Sequence, residues 1–422
     1  MRKRGLIIVV FISLTVISSC DRTTKQNDSI QDDITVTQAV RLPMLTREQV
    51  VEDFDYLFQI LSENYPFLDV NKRINGIDWV AKEQEYRAKF ETINTMGYFE
   101  SLLHDILGDL NNKHTKLVTL ESYHSLLNVY KKNPKIYKPW IEALEDSTVV
   151  QRYNSMNNKK QNINSTSSYT YPSVKTVDLD ENTAYIKIPT FADAEMKKGL
   201  SIITPYLQTI SDKNKLIIDV RDNSGGTDEY WMALVEQIIS EPITWTSYFL
   251  YRDGDYIKPF IESRLGVGYE DLPSLSELTK ENKSIRLTPE IMNNFDKYLD
   301  ATTTISPKQS IAYKGKIYLL VNDMVFSSSE AFSVFAKETK WATLIGERTS
   351  GDGIGTDPVV LKLPNSGFLV RFPLVMGLTS DGSINEEEKT IPHIIVDTTQ
   401  TDNIHDDPVI KAVMNQEHSS NK

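Results

Sequence analysis

Apolar residues recur at two different periods along this chain, and the change of period divides it. From Leu45 the spacing is helical: Val50, Phe54, Leu57, Phe58 and Leu61 follow one another at three and four residues and share one face. "IDWVAKEQEYRAKFETI" and "MGYFESLLHDILGDL" repeat the pattern, with Asp78 and Thr95 placed to cap the helices they open. "KNPKIYKPWIEALED" continues it. Residues 45–150 are therefore expected to form a helical N-terminal domain. Residues 151–175, which include most of the Asn- and Ser-rich "NSMNNKKQNINSTSSYTYPS", read as a polar linker.

From residue 176 to 400 the texture changes. "TAYIKIPTF", "KLIIDV", "KIYLLVN", "ATLIGE" and "FLVRFPLVMG" are short β-branched and apolar runs. Helical patterns lie between several of them, among them "EMKKGLSIITPYLQTI", "DEYWMALVEQII" and "SEAFSVFAKETK". Continuous apolar strands alternating with helices predict an α/β core, a twisted sheet covered on both faces. Residues 240–312 interrupt the alternation and read as an insertion over that sheet. Residues 401–422 read as a C-terminal tail.

The first residues carry a different message. "MRKRG" is basic, "LIIVVFISLTVI" is apolar but too short to span a bilayer, and "ISSC" places small residues before Cys20. This resembles a bacterial lipoprotein signal peptide over residues 1–20, with Cys20 as the lipidated residue. Residues 21–44 are polar and read as a flexible tether. Cys20 is the only cysteine, so once it carries lipid no thiol is left for a disulfide. The expected location is the bacterial cell envelope, periplasmic or outer-surface, with the lipid bilayer as one partner.

Charge narrows the partners further. Lys and Arg total 46 against 58 Asp and Glu, a formal net charge of −12. A surface of that sign repels a phosphate backbone, so a nucleic-acid partner is excluded.

Three loops carry candidate chemistry. "LIIDVRDNSGGTDEY" ends a buried strand in Gly225-Gly226, where bare backbone can approach a ligand and offer N–H groups. "VNDMVFSSSEAFSVFAKETK" places Ser327, Ser328 and Ser329 between a strand and a helix. Ser327 could cap that helix, with Glu330 completing a capping box. It could also expose a nucleophilic hydroxyl above the sheet edge, with the next N–H aimed at a bound carbonyl oxygen. "LHDILGDLNNKHTKLV" puts His114, one of six histidines, where a long amphipathic helix breaks. A lone His is most often structural, but an imidazole is also the commonest general base for a serine hydroxyl.

Together the three loops resemble those of the C-terminal (tail-specific) processing peptidases, from about residue 48 to 397. "DVRDNSGG" is similar to the family's D-x-R-x-N-x-G-G loop. "VFSSSEAFSVFAKETKWATLIGERTSG" is similar to its T-x-S-x-x-E segment, helix and L-x-G-x-x-T-x-G. "NNKHT" resembles its D-G-H-T, with Asn112 and Lys113 in place of Asp and Gly. "AYIKIPTF" resembles the opening strand of its core, and "LPNSGFLVRFPL" with "DGSINEEEKTIPHIIVD" its closing segment, where His393 follows Pro392 in place of the usual Asp.

The resemblance implies a ClpP/crotonase-like α/β core, Ser327 as nucleophile, and no metal or cofactor. At the spacing where the main branch carries a catalytic Lys, this chain has Asp352, which excludes the Ser–Lys mechanism. What remains is similar to the tricorn-like and retinol-binding-protein-like branch, a Ser–His–Glu arrangement. That implies His114 as base and Glu386 as its orienter, with Glu387 and Glu388 as neighbouring alternatives. An oxyanion hole would come from Ser328 with Gly225 or Gly226. The stretch from Lys116 to Thr183 is too short for the family's PDZ domain and lacks its glycine-rich carboxylate-binding loop, so no PDZ domain is expected. The expected activity is serine-type peptidase action on peptide or protein substrates. The alternative is a catalytically inactive carrier on the same fold, binding apolar or peptide ligands.

Overall fold

The computed structural model describes residues 45–416, apart from 94, 162–170, 283, 284, 286, 400 and 402. Residues 1–44, on which the expected signal segment with Cys20 and the expected tether fall, lie outside the described residues. None of the described helices is long and apolar enough to cross a membrane.

The chain opens with α1 (Arg47–Asn64), α2 (Leu68–Asn75), α3 (Glu83–Phe90) and α4 (Met96–Gly108). The first is closed at its N-terminus by a capping box between Thr46 and Gln49, and Thr95 caps α4 through Tyr98 N–H. The short strand β1 (Lys116–Leu117) follows, then α5 (Leu120–Tyr130), α6 (Lys138–Leu144) and α7 (Ser147–Gln161). The last of these carries helix through residues 151–161, inside the stretch read as linker. Its composition is polar there, which hid the helix.

The main sheet uses β2 (Lys175–Asp180), β3 (Thr183–Lys187), β4 (Lys215–Asp219), β7 (Lys316–Val321), β8 (Thr343–Gly346) and β12 (Ile394–Ile395), in the order β12-β8-β7-β4-β3-β2. All neighbours are parallel except β2 and β3. Successive residues face opposite sides, and both sides are buried. Ile186, Ile218, Leu319 and Val321 pack against α8 (Asp193–Leu207), α9 (Asp228–Glu236) and α13 (Ser328–Glu338), where Trp231 and Phe332 stack 5.4 Å apart. Tyr185, Ile217, Tyr318, Leu320 and Ile345 pack against α15 (Pro408–Met414) on the other side. This is why the strands read as unbroken apolar runs.

Two boundaries differ from the sequence reading. The helical region is not a separate domain. Residues of α1–α7 share one apolar core with β9 (Val359–Lys362), β10 (Leu369–Phe372) and β11 (Met376–Leu378). The link is β1, which pairs antiparallel with β10 through Lys116–Arg371 and Leu117–Val370, in a sheet ordered β1-β10-β9. Residues 240–312 are also structured. They hold β5 (Ile243–Tyr251), α10 (Lys258–Leu265), α11 (Leu275–Glu281), α12 (Pro289–Asn294) and β6 (Lys297–Ile305). β5 pairs with both β6 and β11, making a third sheet. The remaining short helix, α14 (Asn385–Glu388), lies between β11 and β12. No strand lies between Leu117 and Lys175 among the described residues, so a PDZ domain has no place there.

The region read as a tail contributes to the core. Val409, Ile410 and Val413 are buried, and Asp407 enters a buried charge network. Arg221 donates to Asp219 at 2.7 Å and 3.0 Å and lies 2.8 Å from Asp407, all three side chains being almost wholly buried. Tyr185 adds an O–H donor to Asp219 at 2.7 Å. Asp407 also caps α15 through Val409 and Ile410 N–H. Removing one partner of a buried ion pair leaves the other charge uncompensated. Asp407→Ala is therefore expected to lower unfolding free energy by about 3–5 kcal/mol. Asp407→Asn, which keeps the cap, should cost less. Urea denaturation followed by tryptophan fluorescence measures both, and an Asp407→Asn variant as stable as wild type would remove the ion pair from the account.

Candidate active site

Ser327 stands between β7 and α13 with φ 58° and ψ −128°, a backbone conformation that favours glycine. Such a residue costs on the order of 1–3 kcal/mol and persists only when its surroundings impose it. Here its side chain makes no capping bond to α13, and Glu330 does not reach back to complete a capping box. Instead the Ser327 hydroxyl oxygen lies 3.1 Å from His114 Nε2. The neighbouring serine that secures the turn is Ser329. Its hydroxyl binds the carbonyl of Asn223, donates to Phe326 O at 2.8 Å, and accepts Phe326 N–H at 3.1 Å.

The glycine loop sits directly against this turn. A Cβ on Gly225 would lie 2.7 Å from Phe326 O and 2.9 Å from both Ser327 Cβ and Ser328 N. Only a residue without a side chain permits that approach. Asn223 fixes the loop, donating to Ile188 O at 3.1 Å and accepting Gly225 N–H at 2.9 Å. Gly225 is thus corrected as an oxyanion donor: its N–H is already engaged, and its part is to make room. Ser328 N–H and Gly226 N–H remain as candidate donors.

His114 arrives from the other side. Asn111, at φ 53°, ends the run that follows α4 and is tied to Asn71 at 3.0 Å. Two residues after His114, β1 joins β10, so the imidazole is anchored on both flanks. The ring packs on Phe326 with centroids 4.5 Å apart and is about four-fifths buried. Its Nδ1 lies 2.7 Å from Asp352 Oδ2. One imidazole therefore bridges a hydroxyl and a carboxylate, with Nδ1 as N–H and Nε2 facing Ser327 Oγ.

Glu386 was expected in the place that Asp352 takes. It is buried on α14 but does not touch the imidazole. Its Oε1 accepts from Asn112 Nδ2 at 3.1 Å, and the same nitrogen donates to Asp352 Oδ2 at 2.7 Å. The physical reason lies in the "SGDGIG" turn. Asp352 adopts φ 49° beside Gly351 at φ 82°, which swings its short side chain inward. The turn is pressed onto α13 so closely that a Cβ on Gly353 would lie 2.4 Å from Ala331 N. Gly353 N–H is held by Asn385 Oδ1 at 2.7 Å. Glu387 instead forms a bidentate pair with Arg73, and Glu388 is exposed.

Lys113 extends along Phe326 and donates to Ser350 Oγ at 2.6 Å, its pKa lowered by burial. His393 lies elsewhere, accepting Leu344 N–H at 2.9 Å through Nδ1. Asp352 was visible in the sequence as a departure from the Lys pattern. The signal for its contact with His114 was a carboxylate set in a glycine-flanked turn after a buried strand.

The chain belongs to peptidase family S41, whose model matches residues 182–396. Among solved structures it is similar to a Parabacteroides merdae protein proposed to be a peptidase, at 20% identity and a TM-score of 0.55, covering 86% of this chain and 95% of that one. It is also similar to mature CPAF, at 14% identity and a TM-score of 0.51, covering 84% of this chain and 93% of that one. At these identities the likeness establishes the fold. A Chlamydia muridarum protein of uncharacterised function is 25% identical over a match of 274 residues that covers 56% of this chain and 44% of that protein. The chain thus spans less than half of that relative.

Glu330, fully buried on α13, accepts from Asn385 at 2.8 Å and Thr390 at 2.7 Å. Burial raises its pKa. The folded state therefore binds this proton more tightly than the unfolded chain does. The resulting stability is fully present below the ordinary carboxyl range, about 4.3, and is lost as pH rises through the folded value. Glu330→Gln should flatten the loss of stability toward alkaline pH, read as urea midpoints from acid to alkaline buffer. Parallel wild-type and variant curves would contradict this.

Proposed function

We propose that this chain is a serine-type peptidase acting on peptide or protein substrates. The observation that carries the reading is the position of His114 between Ser327 Oγ and Asp352 Oδ2. His114 Nε2 takes the Ser327 proton as Oγ bonds to the substrate carbonyl carbon. The carbonyl oxygen becomes an oxyanion, received by the N–H groups of Ser328 and Gly226. Nε2–H then passes its proton to the amide nitrogen as the C–N bond breaks, leaving an acyl-serine. Water repeats the cycle, giving up a proton to Nε2 as it releases the acid. Asp352 holds the imidazole tautomer and stabilises the imidazolium. The carboxylate therefore belongs on the Nδ1 side of the ring, away from the oxyanion.

The strained turn supports this role, because it lifts Ser327 Oγ from the sheet while α13 begins immediately behind it. Family membership supports peptide-bond chemistry. The N-terminal pattern around Cys20 supports a lipid anchor in the cell envelope, with residues 21–44 as tether.

Labelling with a fluorophosphonate probe tests the chemistry. The full chain should label at a single site, Ser327→Ala should lose the label, and Asp352→Asn should label about 10³–10⁴-fold more slowly. Absence of label on well-folded wild-type protein would favour the carrier alternative. For the anchor, metabolic labelling with an alkyne fatty acid should mark the protein, and Cys20→Ala should abolish it. Persistent labelling of that variant would place the lipid elsewhere.

A further inference from the structure

Asn112 is the point where two departures from the family pattern meet. The family's D-G-H-T has an acid at this position, and its main branch has a Lys where this chain has Asp352. Asn112 is 6% exposed, and its amide is fully used. Its Oδ1 accepts His114 N–H at 2.9 Å and the Thr115 hydroxyl at 3.1 Å. Its Nδ2 donates to Asp352 at 2.7 Å and Glu386 at 3.1 Å. An acid at position 112 would set a third carboxyl against two others. An amide instead gives both of them a donor.

Two carboxylates on one buried nitrogen cannot both carry full charge at low cost. Glu386 Oε2 is buried without a hydrogen-bond partner among the described residues, so a charge on it would be uncompensated. The groups facing Glu386 are Asp352 on its turn, Asn112 ahead of β1, Lys389 at the end of its own helix and Glu330 on α13, with Lys113 and Tyr65 farther off. Burial first, and Asp352 second, push the Glu386 carboxyl well above the usual range, against the opposing pull of Asn112 and Lys389.

We propose that Asn112 is a positioning residue that holds Asp352 and Glu386 on one amide nitrogen with Glu386 in its neutral form, so that a single negative charge faces His114. This rests on the reading of Ser327, His114 and Asp352 as the reacting unit. It also explains how the site accommodates two acids behind the imidazole. A second full charge would bind the imidazolium too tightly for it to release its proton to the leaving amine.

The test is the rate of fluorophosphonate labelling of the full chain against pH, joined to infrared difference spectroscopy of the carboxyl C=O stretch. Asn112→Asp should raise the pH midpoint of labelling by about one unit or more and slow labelling at neutral pH about tenfold. Glu386→Gln, a neutral isostere, should keep the wild-type midpoint and lose less than about tenfold in rate, whereas Glu386→Ala should lose more. A protonated-carboxyl band at neutral pH should disappear in Glu386→Gln. A downward shift of the midpoint in Glu386→Gln would overturn the proposal, because it would mean that Glu386 was ionised. So would an unchanged midpoint in Asn112→Asp, or a missing infrared band. Loss of label in Glu386→Gln with retention in Asp352→Asn would assign His114 to the wrong acid. If wild type does not label at all, the peptidase reading fails, and the infrared band still decides whether Glu386 is neutral.

Discussion

The backbone of Ser327 sits where an L-residue rarely rests, and the arrangement of the site follows from keeping it there. Ser329 ties the turn to Asn223, Gly225 yields the space beneath it, and α13 begins at once behind it. These contacts come from two different segments. Relaxing the turn would break Ser329's bonds to Phe326 and Asn223. The strain is thus stored across the sheet edge and not within one loop.

The same logic explains the glycine motif around residues 219–226. Its polar letters are mostly structural. Asp219 and Arg221 are consumed by the network with Asp407 under the sheet, and Asn223 spans Ile188 and Gly225. Only the bare backbone at the end of the motif is free to serve chemistry. The helical N-terminal region is equally committed. It delivers His114 by joining β10, so the base is fastened to the core that holds β9 and β10, the strands that follow the "SGDGIG" turn.

Much of this was legible from residue order. Unbroken apolar runs such as "KLIIDV" announced strands buried on both faces, and Ser327, His114 and the glycine pair were found because each breaks a clear period. Three things were not legible. The helix through residues 151–161 has no apolar face strong enough to show. The union of α1–α7 with β9–β11 depends on a two-residue strand, below any periodic signal. The contact of Asp352 with His114 was hidden because motif spacing counts residues along the chain, while the inward swing of Asp352 depends on φ values that spacing does not encode.

The Arg221–Asp407 contact joins positions 186 residues apart, and His114 meets Ser327 across 213. On the ribosome, Arg221 leaves the exit tunnel long before its second acid exists. Until the segment bearing Asp407 is present, Arg221, just after β4, has only Asp219 as its buried counter-charge. Burial of Arg221 with its charge balanced thus waits on a segment 186 residues further along the chain.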